Sequence, residues 1–149
     1  MTFRTFMDVA LTEARAAAAR GEVPVGAVIV GADGVLLAQA GNRTRELNDP
    51  SAHAEMLVIR EACAKLGAER LENADLYVTL EPCAMCAAVI SSARIRRLYY
   101  AVSDAKSGGI EQGARVFTHA QTHHKPEVYD GLCAAEAEAI LKEFFSALR

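Results

Sequence analysis

The sequence has no apolar run that approaches the roughly 18 residues needed to span a bilayer. The segment 1–15 carries acidic residues early and has no continuous apolar stretch, so it is not expected to be a secretory signal peptide. No linker, internal repeat or low-complexity segment is visible. A length of 149 residues suits one hydrophobic core. We therefore expect a cytoplasmic protein with a single domain over residues 1–149.

The sequence also lacks an excess of positive charge. Its 16 basic and 19 acidic residues give a formal net charge of −3. Proteins that bind a long phosphate backbone are usually basic overall. The charge argues against extensive contact with a nucleic-acid duplex, but it is compatible with local contacts to a short RNA segment.

Cysteine is scarce, with four residues in the chain. Four cysteines could form two disulfides in an oxidising compartment. Cys83 and Cys86, however, lie three residues apart, and a reducing compartment is expected. Together these features favour metal binding over a disulfide framework.

Hydrophobic periodicity and turn residues predict an alternation of helices and strands. The order is α-β-β-α-β-α-β, then a loop and a last helix. Helices are predicted over 3–20, 51–67, 83–95 and 134–148, and strands over 25–30, 35–40, 75–80 and 97–102. This order predicts an α/β fold of three layers, with a central mixed β-sheet covered by helices on both faces. The loop over 103–131 is long for a compact domain, and such loops are often functional.

Two predictions concern local structure. "GADG" between the first two strands is a hairpin signal. In the second helix the spacing of Met56, Ile59, Cys63 and Leu66 predicts the face that packs on the core.

A metal site is suggested by "SAHAE" and "LEPCAMC". Cys83 and Cys86 are spaced i, i+3 at a helix start, so their sulfur atoms share one face. His53 and Glu55 lie about 200° apart around a helix axis and can converge only on a point beyond its N-terminus. One histidine and two cysteines are suitable ligands for zinc.

A structural zinc site has four protein ligands, whereas a catalytic site has three and an open position. The other possible ligands are Cys63, Cys133 and a histidine cluster at 119, 123 and 124. Cys63 falls on the predicted core face, and Cys133 has no partner at zinc-binding spacing. Glu55 favours the catalytic interpretation, because hydrolysis needs a group that carries protons.

"HAE" followed by "PCAMC" resembles the signature of the zinc-dependent cytidine and deoxycytidylate deaminase superfamily. Longer runs resemble one of its members, the bacterial tRNA-specific adenosine deaminase family. They are "EVPVGAVIV", "GNR", "DPSAHAEMLVIREA", "ADLYVTLEPCAMCAAVISSARIRRLYY", "DAKSGG" and "AEAILKEFF". The resemblance implies a cytidine-deaminase-like fold, one zinc ion per subunit and a homodimer. It also implies that the wobble adenosine of a tRNA anticodon stem-loop is converted to inosine with release of ammonia.

The resemblance further assigns the site residues. His53, Cys83 and Cys86 would bind zinc, and Glu55 would carry protons during the replacement of the amine at C6 of adenine. Asn42 would hydrogen-bond the flipped nucleoside, and Val28 would pack on the base. The backbone N–H groups of Ala54 and Cys83 would line the zinc pocket, and Lys106 and Arg43 would contact phosphates of the substrate.

Other interpretations stay open. The same zinc site serves deaminases of free bases or nucleosides such as guanine or cytidine, and a non-catalytic zinc protein could act as a scaffold. Asn42 could form a turn after Gly41, and Val28 could be an ordinary strand residue. The histidine cluster could face RNA or simply be exposed. The basic residues at 94, 96 and 97 are expected to complement the end of a helix.

Overall fold

The computed structural model describes residues 3–148, without the side chains of residues 3–5. It contains four α-helices and five strands within that range. The helices are α1 (Phe3–Ala19), α2 (Ala54–Leu66), α3 (Ala84–Ser92) and α4 (Ala134–Ala147). The strands are β1 (Gly26–Val30), β2 (Leu36–Gly41), β3 (Asp75–Leu80), β4 (Arg97–Val102) and β5 (Glu127–Asp130). None of the helices described is both long and apolar enough to cross a membrane.

The strands form one mixed sheet in the order β2-β1-β3-β4-β5. The β1 strand pairs antiparallel with β2 and β3, whereas β3, β4 and β5 run parallel. Helices α2 and α3 pack on one face, where Val58, Ile90 and Leu98 belong to a buried cluster. Helices α1 and α4 cover the other face, where a second cluster includes Met7 and Tyr99. The predicted three-layer α/β/α fold is confirmed.

Two glycines allow α1 to lie close to the sheet. Gly26 of β1 is paired with Gly41 of β2 across the antiparallel ladder. A Cβ atom on Gly26 would lie 1.9 Å from the carbonyl oxygen of Ala10, and one on Gly41 would lie 2.7 Å from that of Glu13. The backbone of α1 therefore contacts the strand backbones at a distance that no other residue type permits.

The predicted loop over 103–131 contains regular structure and needs correction. A short 3-10 helix spans Val116–Thr118, and β5 adds a fifth strand at the edge of the sheet. The β5 strand has four residues, all exposed. Because β5 pairs with β4 alone, it needs no apolar face, and it therefore lacks the alternation by which strands are predicted.

The predicted core face of α2 is shifted. The buried residues are Ala54, Glu55, Val58, Ile59 and Ala62. Of the four residues predicted, Ile59 is buried, whereas Leu66 is 52% exposed. Small alanines and one carboxylate occupy positions that larger apolar residues were expected to fill.

Candidate metal centre

Two helix N-termini meet at the carboxyl end of β3. The chain leaves β3 at Leu80, and three residues later Cys83 serves as the N-cap of α3. His53 is the N-cap of α2, which lies beside α3 on the same face of the sheet. Both N-cap residues have extended backbone conformations and make no side-chain capping bond. Their side chains are therefore available to bind something beyond the helix ends.

His53, Cys83 and Cys86 lie together, with their ligand atoms all within 4.8 Å of one another. The Nδ1 atom of His53 is 3.6 Å from Sγ of Cys83 and 3.4 Å from Sγ of Cys86. Tetrahedral zinc, with bonds of about 2.3 Å to sulfur and about 2.1 Å to nitrogen, would place N and S about 3.6 Å apart. The three side chains thus fit a tetrahedral zinc ion. No further histidine, cysteine or carboxylate of the described chain joins this group, so the arrangement corresponds to three protein ligands and an open position.

The thiols differ in acidity. Hydrogen bonds with Cys86 and His53 lower the pKa of Cys83 to about 4, despite its partial burial. The hydrogen bond with Cys83, together with burial, raises the pKa of Cys86. Cys83 is therefore the more acidic of the two thiols, and binding of a metal ion would release the protons that the pair still holds.

Glu55 lies in the first turn of α2 and is 4% exposed. Burial raises the pKa of its carboxyl group to about 7. A carboxyl group with a pKa near neutrality can both accept and donate a proton, as general acid–base catalysis requires.

A cavity of about 570 Å³ opens onto these residues. His53, Glu55 and Cys83 line it, together with Asn42. Its other walls include residues that the sequence analysis did not identify: Val23, Val25, Thr44, Leu80, Glu81, the segment 102–105, Ser107, Leu141 and Phe145. The sequence of α4 carries no signal that Leu141 and Phe145 line the cavity. The exposure of the large aromatic side chain of Phe145, at 45%, becomes visible only in the structure.

Asn42 borders the cavity and also supports α2. Its Oδ1 atom accepts a hydrogen bond of 2.8 Å from the backbone N–H of Ala54. The N–H group of Ala54 was expected to line the zinc pocket. It is instead engaged by Asn42 and is not free to do so. Nδ2 of Asn42 has no acceptor within residues 3–148, and neither has the backbone N–H of Cys83. These two donors remain available at the cavity.

Val28 does not line the cavity, contrary to the prediction that it contacts the base. Val28 is fully buried on the α1 side of the sheet, in the cluster that contains Met7 and Tyr77. Side chains alternate between the two faces along a strand, so Val25 and Val28, which are three positions apart, face different layers. Val25 lines the cavity instead.

The two expected phosphate-binding residues differ in their surroundings. Lys106 is exposed at the rim of the cavity, and its Nζ atom has no partner among the described residues. Arg43 is not part of the cavity wall, and its Nη1 atom lies 2.7 Å from a carboxylate oxygen of Glu46. Contact with a phosphate would therefore use the other N–H groups of Arg43 or displace Glu46 from Nη1.

Members of the histidine cluster (119, 123 and 124) and of the basic group (94, 96 and 97) make contacts within the protein. Nε2 of His124 is 2.6 Å from the carbonyl oxygen of Ile95, and Nε2 of His119 is 2.8 Å from that of Ala114. Arg96 donates two hydrogen bonds to Asp75, and Arg97 pairs with Glu127. Neither cluster lines the cavity.

Comparison with known proteins agrees with this geometry. A family model for the cytidine and deoxycytidylate deaminase zinc-binding region matches residues 2–102. A tRNA-specific adenosine deaminase of Agrobacterium fabrum (strain C58 / ATCC 33970) is 60% identical over 144 residues, which cover 97% of this chain and 94% of that protein. The chain belongs to the tRNA-specific adenosine deaminase family.

Solved structures support the assignment. A structure from a study of A-to-I editing by tRNA:A34 deaminases at the wobble position superposes with a TM-score of 0.90 at 60% identity, covering 92% of this chain and 99% of that chain. A guanine deaminase of Bacillus subtilis is 42% identical with a TM-score of 0.67, covering 69% of this chain and 66% of that chain. The tRNA:A34 deaminase structure matches over a greater length and with higher identity than the guanine deaminase.

Proposed function

We propose that the protein is a zinc-dependent hydrolase that converts adenosine to inosine at the wobble position of a tRNA anticodon and releases ammonia. The observation that carries the proposal is that His53 and Cys83, which group with Cys86, line the same cavity as the buried carboxyl group of Glu55. The 60% identity to a tRNA-specific adenosine deaminase over nearly the whole chain supports RNA as the substrate.

When bound by these three residues, zinc supplies a nucleophile at neutral pH by lowering the pKa of a water molecule. Glu55 accepts a proton from the attacking water and delivers it to N1 of the adenine ring as the C6–O bond forms. Glu55 then carries the remaining hydroxyl proton to the amine, and the C6–N bond breaks as the C6=O bond of inosine forms. One water is consumed and one ammonia is released.

The cavity can also hold the target nucleoside. We propose that Nδ2 of Asn42 donates to the flipped nucleoside, while Val25 packs against the base. Lys106 contacts a phosphate from the rim. Arg43 can join it at small cost, because an exposed ion pair such as that with Glu46 contributes about 0–1 kcal/mol.

We also propose one zinc ion per subunit, a homodimer and a cytoplasmic location. The three ligands form one group among the described residues, which supports a single ion. Met85 of α3 is 38% exposed, and beside it Ala88 and Ser92 present a small, uncharged surface suited to a second copy. The four cysteines form no disulfide, which is typical of proteins in a reducing compartment and supports the cytoplasmic location. Elemental analysis and sedimentation velocity test the first two points.

A product assay tests the activity. Purified protein is incubated with an anticodon stem-loop that carries adenosine at the wobble position and, in parallel, with adenosine, guanine and cytidine. Replacing the amine by oxygen increases the mass by about 1 Da, which mass spectrometry detects. We expect the increase in the stem-loop alone. No increase in the stem-loop, with an increase in any free base or nucleoside, would overturn the RNA assignment.

Deamination of free guanine is the second candidate, since a guanine deaminase matches at 42% identity. A free base carries no phosphate. Lys106→Ala should therefore reduce turnover of the stem-loop if RNA is the substrate, and it should leave turnover of a free base unchanged.

A further inference from the structure

Glu81 separates the zinc-binding Cys83 from the end of β3 and is 2% exposed. Its backbone N–H donates to the carbonyl oxygen of Val102, which places it beside the start of the loop that follows β4. No Lys, Arg or His of the described residues pairs with its carboxylate, although a buried carboxylate is costly without a partner. Its partners must therefore be neutral donors.

Those donors all come from the segment 103–112. Oε1 of Glu81 accepts from the N–H of Asp104 at 2.9 Å and from the hydroxyl of Ser103 at 3.1 Å. Oε2 accepts three backbone N–H groups at 2.9–3.0 Å, which belong to Ile110, Glu111 and Gln112. Both ends of the segment thus bind the same carboxylate, and the chain between them must close into a loop around it.

Two glycines in the loop make this contact possible. A Cβ atom on Gly108 would lie 2.5 Å from Cδ of Glu81. One on Gly109 would lie 2.6 Å from the backbone nitrogen of Ala84, the first residue of α3. The N–H of Gly109 also donates to the carbonyl oxygen of Pro82 at 2.8 Å. The loop is therefore packed directly against the segment that presents the zinc ligand.

The loop also forms one wall of the cavity. Residues 103–107 line it together with Asn42 and His53, and the exposed Lys106 is among them. Asp104 fixes the tip, since its Oδ1 atom accepts the N–H groups of Lys106 and Ser107, both at 3.1 Å. The position of Lys106 relative to Cys83 thus depends on the carboxylate of Glu81.

We propose that Glu81 is a positioning residue that holds the 103–112 loop against the zinc-binding segment, so that Lys106 and its neighbours are preorganised for the RNA. This inference rests on the proposed function for its substrate. Glu81 borders the cavity, but both of its carboxylate oxygens are occupied by donors of the 103–112 loop and it is not one of the grouped metal ligands. Its effect is expected in substrate binding, because the loop forms the cavity wall and not the proton-carrying group.

The test uses Glu81→Gln in the full-length zinc-loaded enzyme. Glutamine keeps the size of the side chain but has one acceptor oxygen instead of two. Whichever way its amide is oriented, the NH₂ group would face N–H groups that also donate. We expect the KM for the stem-loop to rise at least about tenfold, at the low end of the effect of losing a supporting contact around a metal site. Zinc content and kcat should stay close to wild type. Glu81→Asp, which keeps the charge but is one methylene shorter, should give an intermediate KM.

Hydrogen exchange followed by mass spectrometry supplies a readout that does not depend on activity. Amides of 103–112 should exchange at least about tenfold faster in Glu81→Gln, while β3 stays protected. Asp75→Asn is the matched control, because Asp75 is a buried carboxylate at the other end of β3 and is paired with Arg96. It should lower stability without changing the KM or the exchange of the loop.

The outcomes separate the two proposals. If wild-type enzyme fails to deaminate the stem-loop, the proposed function is wrong, and exchange still decides whether Glu81 holds the loop. Unchanged exchange and unchanged KM in Glu81→Gln would overturn the inference. So would loss of zinc or a fall in kcat at constant KM, because either would assign Glu81 to the metal site. If Glu81→Gln does not fold, Gly108→Ala disturbs the same contact and should show the same rise in KM and in exchange.

Discussion

The side-chain amide of Asn42 has two proposed roles: Oδ1 caps α2, and Nδ2 donates to the substrate. Two substitutions should separate these roles. Oδ1 accepts the N–H of Ala54, a residue with no exposed surface, at 2.8 Å. Asn42→Ala leaves that N–H buried without a partner, which costs about 1–3 kcal/mol. For a chain of this size we expect the melting temperature to fall by about 2–4 °C per kcal/mol. Deamination should fall as well, since Nδ2 is also lost.

Asn42→Asp keeps an acceptor for Ala54 and places a negative charge at the start of α2, where it is stabilising by about 0.3–1 kcal/mol. It replaces the Nδ2 donor by an acceptor, so substrate binding should be lost while stability is kept. Chemical denaturation and stem-loop kinetics on both variants give the comparison. An Asp variant with wild-type kcat/KM would refute the donor role of Nδ2. An Ala variant with an unchanged free energy of unfolding would refute the capping role.

Three further predictions follow from the site and its surroundings. Glu55→Gln should keep its zinc and fold but lose about 10²–10⁴-fold in kcat, because the amide cannot carry protons; full activity would exclude the proposed mechanism. Cys86→Ala should lose zinc by elemental analysis and melt at a lower temperature than wild type, because the bound ion ties α2 to α3; unchanged metal content would refute the site. Glu22 is 1% exposed, and although burial alone raises its pKa, the N–H groups of Glu46 and Arg45 and the Thr44 hydroxyl hold that pKa below its usual 4.5. Its stabilising contribution should be complete above pH 4.5 and disappear as the pH falls through the lower folded-state pKa. Urea unfolding of wild type and Glu22→Gln should therefore show a difference that shrinks below pH 4.5, and a constant difference would contradict this.

The grouping of His53, Cys83 and Cys86 could be predicted from the sequence because each of its two halves lies at one helix start. Two cysteines at i, i+3 share one face of a helix wherever that helix lies. His53 and Glu55 lie two residues apart, so a single helix N-terminus is enough to bring both side chains to one site. The order of the elements up to β4 could be predicted for the same reason, since each depends on periodicity within a short window. The division of the chain into one domain remains a prediction.

The errors concern features that depend on neighbours distant in sequence. All five residues of β1 are buried, because both faces of the sheet are covered, so alternation could not show which side Val28 occupies. In α2 the core face is built from alanines and Glu55, which apolar spacing does not identify. The support that Glu81 gives to the 103–112 loop joins residues about 22–31 positions apart, and no local pattern encodes it.

The close contact between α1 and the sheet has a consequence for the order of folding. The surface that receives the helix consists of Gly26 and Gly41 side by side, so it exists only after β1 and β2 have paired. Helix α1 precedes β1 and β2 in the chain, yet it can dock only onto the paired hairpin. Gly41→Ala should slow the docking of α1 without slowing hairpin closure, which stopped-flow fluorescence with a label on each element can resolve. Helix α1 therefore acquires its native neighbours on the sheet only after residue 41 has been synthesised and paired.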